Sequence, residues 1–185
     1  MINAALPRPP VLAAAGAISG TLYALWVIKA TEKIGRIGDA GSVLDLISHH
    51  AGAGIFYAVI VGAILQRAWK FEAWRWALWV VGAGLCYAAA YRLAIYLYGD
   101  SPDDLTPANF AVGAIAGLVG AGLLGALSAA LFPPLRLRRL VIMGAAVGAL
   151  VGLALPLALR AESLLGWMAF FAVWQAAYAV ASTRA

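Results

Sequence analysis

Residues 110–131 read FAVGAIAGLVGAGLLGALSAAL, a stretch without a charged side chain in which a small residue recurs at every fourth position. A helix needs ~20 apolar residues to cross the ~30 Å hydrocarbon core of a bilayer, so this stretch predicts a transmembrane helix. Five further stretches have similar length and composition. They lie at residues 11–28, 46–65, 76–98, 140–159 and 164–181.

The composition of the whole chain agrees with this interpretation. Hydrophobic residues make up 64% of the 185 residues, charged residues make up 11%, and the mean hydropathy is +0.90. Soluble domains are only ~45–50% apolar. We therefore predict an all-α, polytopic transmembrane bundle of about six membrane-spanning helices, forming a single membrane domain over residues 1–185 in contact with the lipid bilayer.

The distribution of charge predicts the orientation of the chain. With six spans, both chain ends lie on the same side as the second and fourth loops. The 13 Lys and Arg residues then divide eight to five in favour of that side, and the 8 Asp and Glu residues divide one to seven. Basic residues are enriched in cytoplasmic loops, so we expect both termini in the cytoplasm and the protein in the bacterial inner (plasma) membrane. The net charge of +5 is explained by this topology, and we expect no nucleic-acid partner.

Small residues form faces on several predicted spans. Backbones can approach closely over such faces, which is how helices gain packing energy in lipid. The faces serve packing within the chain or docking of another copy or a partner subunit. The glycines concerned are Gly16, Gly20, Gly54, Gly62, Gly113, Gly117, Gly125, Gly144, Gly148 and Gly152.

A short internal similarity raises the possibility of a duplication. Residues 16–20 read GAISG, and residues 113–117, half the chain later, read GAIAG. Three spans per half would give the two halves opposite orientations, so a 3+3 inverted repeat of the kind found in many transporters is possible.

Local signals place some helix boundaries and polar contacts. Thr106-Pro107 supplies an N-cap hydroxyl and a proline for the first helical position, which predicts the start of the fourth helix. Pro156 predicts a kink or an end in the fifth helix. Asn109 and Gln175 are expected to hydrogen bond between helices. The tryptophans are expected to form interfacial belts: Trp69, Trp74, Trp76 and Trp79 on one side, and Trp26 and Trp167 on the other.

Polar side chains within the spans concentrate at one depth, near the outer side. In one interpretation they form a hydrated vestibule in which Asp45 pairs with Arg92 and a histidine carries a proton or binds a polar solute, since histidine changes charge near neutral pH. In the alternative, Arg92 extends to the outer headgroups and the histidines lie at the interface. The cluster comprises Asp45, His49, His50, Tyr87, Tyr91 and Arg92.

We expect no cofactor, no metal site and no catalytic residue. Haem ligation through His49 or His50 is the alternative, but adjacent helical residues point ~100° apart and cannot both bind one iron. The chain has no phosphate-binding glycine loop, no Cys-x-x-Cys pair, no His-Glu-x-x-His and no Gly-x-Ser-x-Gly. Their absence argues against an enzyme, although an intramembrane enzyme can use scattered residues.

The first half of the chain resembles a family of bacterial membrane proteins. The features concerned are GAISG at residues 16–20, WVIK at residues 26–29, Glu32-Lys33, His50, and a span containing Phe56 and Ala58-Val59. Over residues 13–100 these resemble the uncharacterised YagU-like inner-membrane proteins. The resemblance implies a polytopic inner-membrane protein and no particular activity.

The sequence is therefore compatible with two functions. The polar outer cluster favours a small transporter or channel for an ion or small solute, because buried charge is costly to keep without a use. The glycine faces favour an accessory or assembly subunit of a larger membrane complex.

Overall fold

The structure, a computed structural model, describes residues 7–37, 46–98, 104–132, 136–161 and 163–183. Within those ranges the chain is all-helical and has no strand. In chain order the elements are α1 (Pro9–Ile37), a π-helical segment (Leu46–Ala51), α2 (Gly52–Trp69), α3 (Ala73–Tyr98), α4 (Pro107–Leu131), α5 (Leu137–Gly152), α6 (Leu155–Ala161) and α7 (Leu164–Thr183). The predicted all-α bundle is confirmed.

Six helical stretches of the described chain are long and apolar enough to cross a membrane. They are Pro9–Ala30, His49–Ala68, Ala73–Tyr98, Pro107–Leu131, Leu137–Ala161 and Leu164–Ser182, close to the six predicted spans. The outer faces of these helices carry large apolar side chains, with Leu85, Leu150 and Leu165 exposed by 65%, 69% and 75%. Such an apolar surface is unfavourable in water and favourable in lipid. The chain is therefore a multi-pass membrane protein.

The six spans form a closed ring. Each contacts the next along the chain, and α7 returns to contact α1. The first residues of α1 and the last residues of α7 lie at one end of the bundle, here called the terminal end. The opposite end, here called the far end, holds the end of α3 and the start of α4.

The closest helix pairs in the ring meet over glycine. An added Cβ at Gly117 of α4 would fall on the carbonyl oxygen of Gly148 in α5, and one at Gly113 would fall on that of Gly152. Only glycine lets the two backbones come this close, so α4 and α5 form one tightly packed pair. Gly125 and Gly144 extend the same contact toward the terminal end.

The remaining glycine faces are also used within the chain. Gly16 and Gly20 lie against the backbone of Gln175 and Phe171, which makes α1 and α7 a second tight pair. Gly54 lies against the backbone of Ala83 in α3, and Gly62 lies against the rings of Trp76 and Trp79.

The two similar pentapeptides occupy different places in the ring. Residues 16–20 pack on α7, whereas residues 113–117 pack on α5. A rotation that relates the first three spans to the last three would carry the α1–α7 contact onto α4 and α3, not onto α4 and α5. The inverted repeat stays a prediction that these contacts do not support.

The local boundary signals are confirmed. Thr106 is the N-cap of α4, where its Oγ1 accepts the backbone N–H of Asn109 at 3.2 Å, and Pro107 begins the helix. The fifth span is interrupted between Gly152 and Leu155. Pro156 explains the interruption, because it lacks the N–H that would bond to the Gly152 carbonyl and its ring would clash there.

The sequence predicts that two polar side chains, Asn109 and Gln175, hydrogen bond between helices. Gln175 of α7 donates its Nε2–H to the carbonyl oxygen of Ala53 in α2 at 3.0 Å, as expected. Asn109 instead donates its Nδ2–H to the carbonyl of Asp104 at 2.9 Å, in the segment just before α4. An interhelical hydrogen bond from Asn109 stays a prediction.

Candidate functional site

A cavity of about 700 Å³ lies inside the ring. Its lining on α3 runs from Ala83 to Tyr98, and its lining on α7 runs from Trp167 to Trp174, so it occupies the half of the bundle nearer the far end. All six spans contribute to its wall, which is mostly apolar. Its volume is in the range of sites that bind small organic molecules.

One wall of the cavity is a row of tyrosines on α3. Tyr87, Tyr91 and Tyr98 share a helix face because they are spaced four and seven residues apart, and all three line the cavity. The rings of Tyr87 and Tyr91 are stacked, with centroids 6.4 Å apart and planes 22° apart. The hydroxyl of Tyr87 is paired with that of Tyr23 from α1.

The wall formed by α7 is an aromatic stripe. Trp167, Phe170, Phe171 and Trp174 follow the i, i+3, i+4, i+7 spacing of one helix face, and all four line the cavity. Trp167 stacks on Phe171 at 5.8 Å, and Phe171 meets the Tyr23 ring edge-on at 4.6 Å. The spacing is visible in the sequence and could have revealed the stripe, whereas Trp167 was expected only as an interfacial residue.

The structure brings four members of the expected polar cluster together. The π-helical segment carries His49 and His50 at the start of the second span. His49 lines the cavity, and the His50 ring meets the Tyr91 ring edge-on at 4.8 Å. Tyr87 and Tyr91 complete this group.

A fifth member, Arg92, does not join this group. Arg92 is exposed on the outside of the bundle and is not part of the cavity wall. That position is the one expected if Arg92 extends to the headgroups. Asp45 lies outside the described residues, so its pairing with Arg92 stays a prediction.

The cavity wall carries little charge. Among its residues that the structure describes there is no Asp, Glu, Lys or Arg, and His49 contributes the one imidazole. The hydroxyl oxygen of Tyr98 is buried and has no hydrogen-bond partner in the described chain. Buried polar groups usually have partners, so this hydroxyl is available to a ligand.

Four buried rings pack between the cavity and the terminal end and are here called the aromatic plug: Tyr57, Trp79, Phe132 and Tyr178. The Trp79 ring meets Tyr57 at 5.9 Å and Phe132 at 5.4 Å, and Tyr57 meets Tyr178 at 5.5 Å. Trp79 donates its Nε1–H to Ser128 Oγ at 3.0 Å. Tyr57 also lines the cavity, so the plug borders the cavity on its terminal-end side.

The position of Trp79 differs from the one predicted. Trp79 was expected in an interfacial belt, but it is 2% exposed and packs at the centre of the plug. Its neighbour Trp74 is 53% exposed, as a belt residue would be. The two residues carry the same signal in the sequence, because each lies near the start of an apolar span.

Comparisons of the chain with protein-family models, with curated proteins and with solved structures found no match. The resemblance of residues 13–100 to the YagU-like proteins therefore stays a prediction.

Proposed function

We propose that this multi-pass membrane protein is a small transporter for an organic solute, which enters the cavity from the far end and leaves past the aromatic plug. The observation that carries the proposal is a cavity of about 700 Å³ at the centre of the ring, bordered on its terminal-end side by tightly packed rings. A site enclosed by membrane-spanning helices and closed on one side is the form expected of one state of an alternating-access transporter.

An organic solute fits this cavity better than an inorganic ion. Ion pathways use rings of carbonyl groups or charged side chains, which replace the hydration shell of the ion. The described cavity wall offers apolar and aromatic groups in place of charged ones. Of the two classes expected from the sequence, an ion or a small solute, we therefore propose a small organic solute.

The helix packing supplies a means of opening the plug. α1 with α7 and α4 with α5 are pairs locked by glycine contacts, and the cavity lies between them. We propose that α2 and α3, which meet at Gly54, move with α1 and α7 when the pairs rock against each other, so that Trp79 on α3 separates from Ser128 on α4. We propose that this hydrogen bond of 3.0 Å breaks when the solute passes.

The orientation in the membrane is a proposal, and so is the alternative role as an accessory subunit. We place the terminal end in the cytoplasm of a bacterial inner membrane, because eight of the 13 basic residues belong to that side. An accessory subunit would need an adhesive face outside the bundle, and the ten glycines expected to supply one contact this chain's own helices. For this reason we place transport first.

The plug can be tested before the solute is known. In proteoliposomes, Trp79→Ala should raise the permeability to glycerol several-fold in stopped-flow swelling, because it removes the central ring of the barrier. Trp79→Phe should leave the permeability unchanged, because it keeps an aromatic ring at that position. Trp26→Ala is the matched control, since Trp26 is 41% exposed on the surface.

Two outcomes would contradict the transport proposal. One is a folded Trp79→Ala variant, by helix content and gel filtration, with unchanged permeability. The other is purification in a mild detergent with a stoichiometric partner whose removal unfolds the chain.

A further inference from the structure

We infer that the solute is an uncharged amphiphile, whose apolar body fills the cavity and whose polar end hydrogen bonds to Tyr98 near the far end. The inference rests on the proposed function, since it names the class of molecule taken by the same cavity.

The wall of the cavity sets the nature of the body. Aromatic rings from α7 form one side, and glycine and alanine from α4 and α5 form another, so the surface offered is apolar and broad. Burying apolar surface there contributes roughly 25 cal/mol per Å². A net charge would have to leave water without a fixed countercharge among the described wall residues, which is strongly unfavourable.

The position of Tyr98 determines where the polar end of the solute binds. Tyr98 is the last residue of α3 and lines the cavity on its far-end side, and its hydroxyl lies 3.1 Å from the place that a Cβ on Gly113 would take. The deeper hydroxyls of Tyr23 and Tyr87 are already paired with each other. The Tyr98 hydroxyl, buried and without a partner in the described chain, is thus the hydroxyl left for a ligand on the far-end side of the cavity.

Trp167 and Trp174 line the cavity, so energy transfer from tryptophan to a bound pyrene reports occupancy. Four probes share one butyl-pyrene framework and differ only at the chain end: pyrenebutanol, pyrenebutylamine, pyrenebutyrate and butylpyrene. Titrations use the purified full chain in dodecyl maltoside. Ala116→Phe and Ala94→Phe place a ring in the cavity from two different helices, and either one measures the background of probe dissolved in micelles.

We expect saturable transfer with pyrenebutanol that both filled variants abolish. Pyrenebutanol should bind at least about tenfold more tightly than the amine and the carboxylate, because of the cost of burying charge. It should bind about fivefold more tightly than butylpyrene, and Tyr98→Phe should bring that ratio close to one. The phenyl ring is retained, so binding of butylpyrene itself should not change.

Several results would overturn the inference. Tightest binding of the amine would assign the cavity to organic cations, and tightest binding of the carboxylate would assign it to anions. An alcohol preference that survives Tyr98→Phe would remove Tyr98 from the site. Transfer that is unchanged in both filled variants would show that the probes do not enter the cavity.

The outcome is separable from that of the proposed function. Selective alcohol binding together with a Trp79→Ala variant that adds no permeability would support the ligand class and reject transport. Increased permeability of the Trp79→Ala variant without alcohol selectivity would support transport and reject the ligand class.

Discussion

Single residues decide how closely the helices approach. Gly117 and Gly148 face each other backbone to backbone, whereas Gly122 lies on the same helix as Gly117 with room for a side chain. A Cβ at Gly122 would meet only the Cβ of Ala145, at 3.6 Å, an ordinary van der Waals contact. Identical changes at the two positions therefore isolate the effect of close approach.

Gly117→Ala should lower the free energy of unfolding by about 1–3 kcal/mol, because the methyl group forces α4 and α5 apart. Gly122→Ala should be neutral or should stabilise the protein by up to ~1 kcal/mol, because alanine favours the helix. Unfolding in mixed micelles of increasing sodium dodecyl sulfate content, followed by circular dichroism, measures both. Equal effects at the two sites would contradict the backbone contact.

Among the helices, the interruption between α5 and α6 depends on backbone hydrogen bonds. Pro156 lies in the first turn of α6, where a helix does not need the missing N–H. Ala146 lies in the middle of α5 with an exposed side chain. The two positions therefore differ in what a proline removes.

Pro156→Ala should change the free energy of unfolding by less than about 1 kcal/mol. Ala146→Pro should cost about 3 kcal/mol or more, because it removes a helical hydrogen bond and clashes with the preceding turn. The same micelle titration compares the two variants. A large loss from Pro156→Ala would mean that the proline itself holds α6 in place.

Across the whole bundle, the cavity lies nearer the far end, and the aromatic plug lies between it and the terminal end. The chain has one cysteine, Cys86, which lines the cavity at the level of Tyr87. An uncharged, hydrophilic thiol reagent that crosses lipid slowly can therefore report which end is open, with no engineered cysteine.

Cys86 should react with such a methanethiosulfonate reagent in sealed vesicles when the far end faces the added reagent. It should be protected when the terminal end faces the reagent, because the aromatic plug lies between. Trp79→Ala should remove that protection, and Cys86→Ser gives the background. Mass spectrometry of the intact chain measures the modified fraction. Protection from both sides would contradict an open cavity.

The positions of the helices and their location in a membrane can be predicted from local sequence alone. Apolar stretches of membrane length, the cap at Thr106 and the break near Pro156 act over a few neighbouring residues, so they can be recognised without knowing the fold. The histidine and tyrosine group at the far end was also predictable, because its members lie at one depth along two helices.

Which apolar residues face the cavity, the plug or the lipid depends on how the helices pack in three dimensions. Hydropathy cannot separate these surfaces, because lipid is as apolar as the interior of the bundle. Trp79 and Trp74 therefore look alike in the sequence, yet one is buried in the plug and the other is exposed. Which glycine face meets which helix depends in the same way on the order of helices around the ring, a property of no single segment.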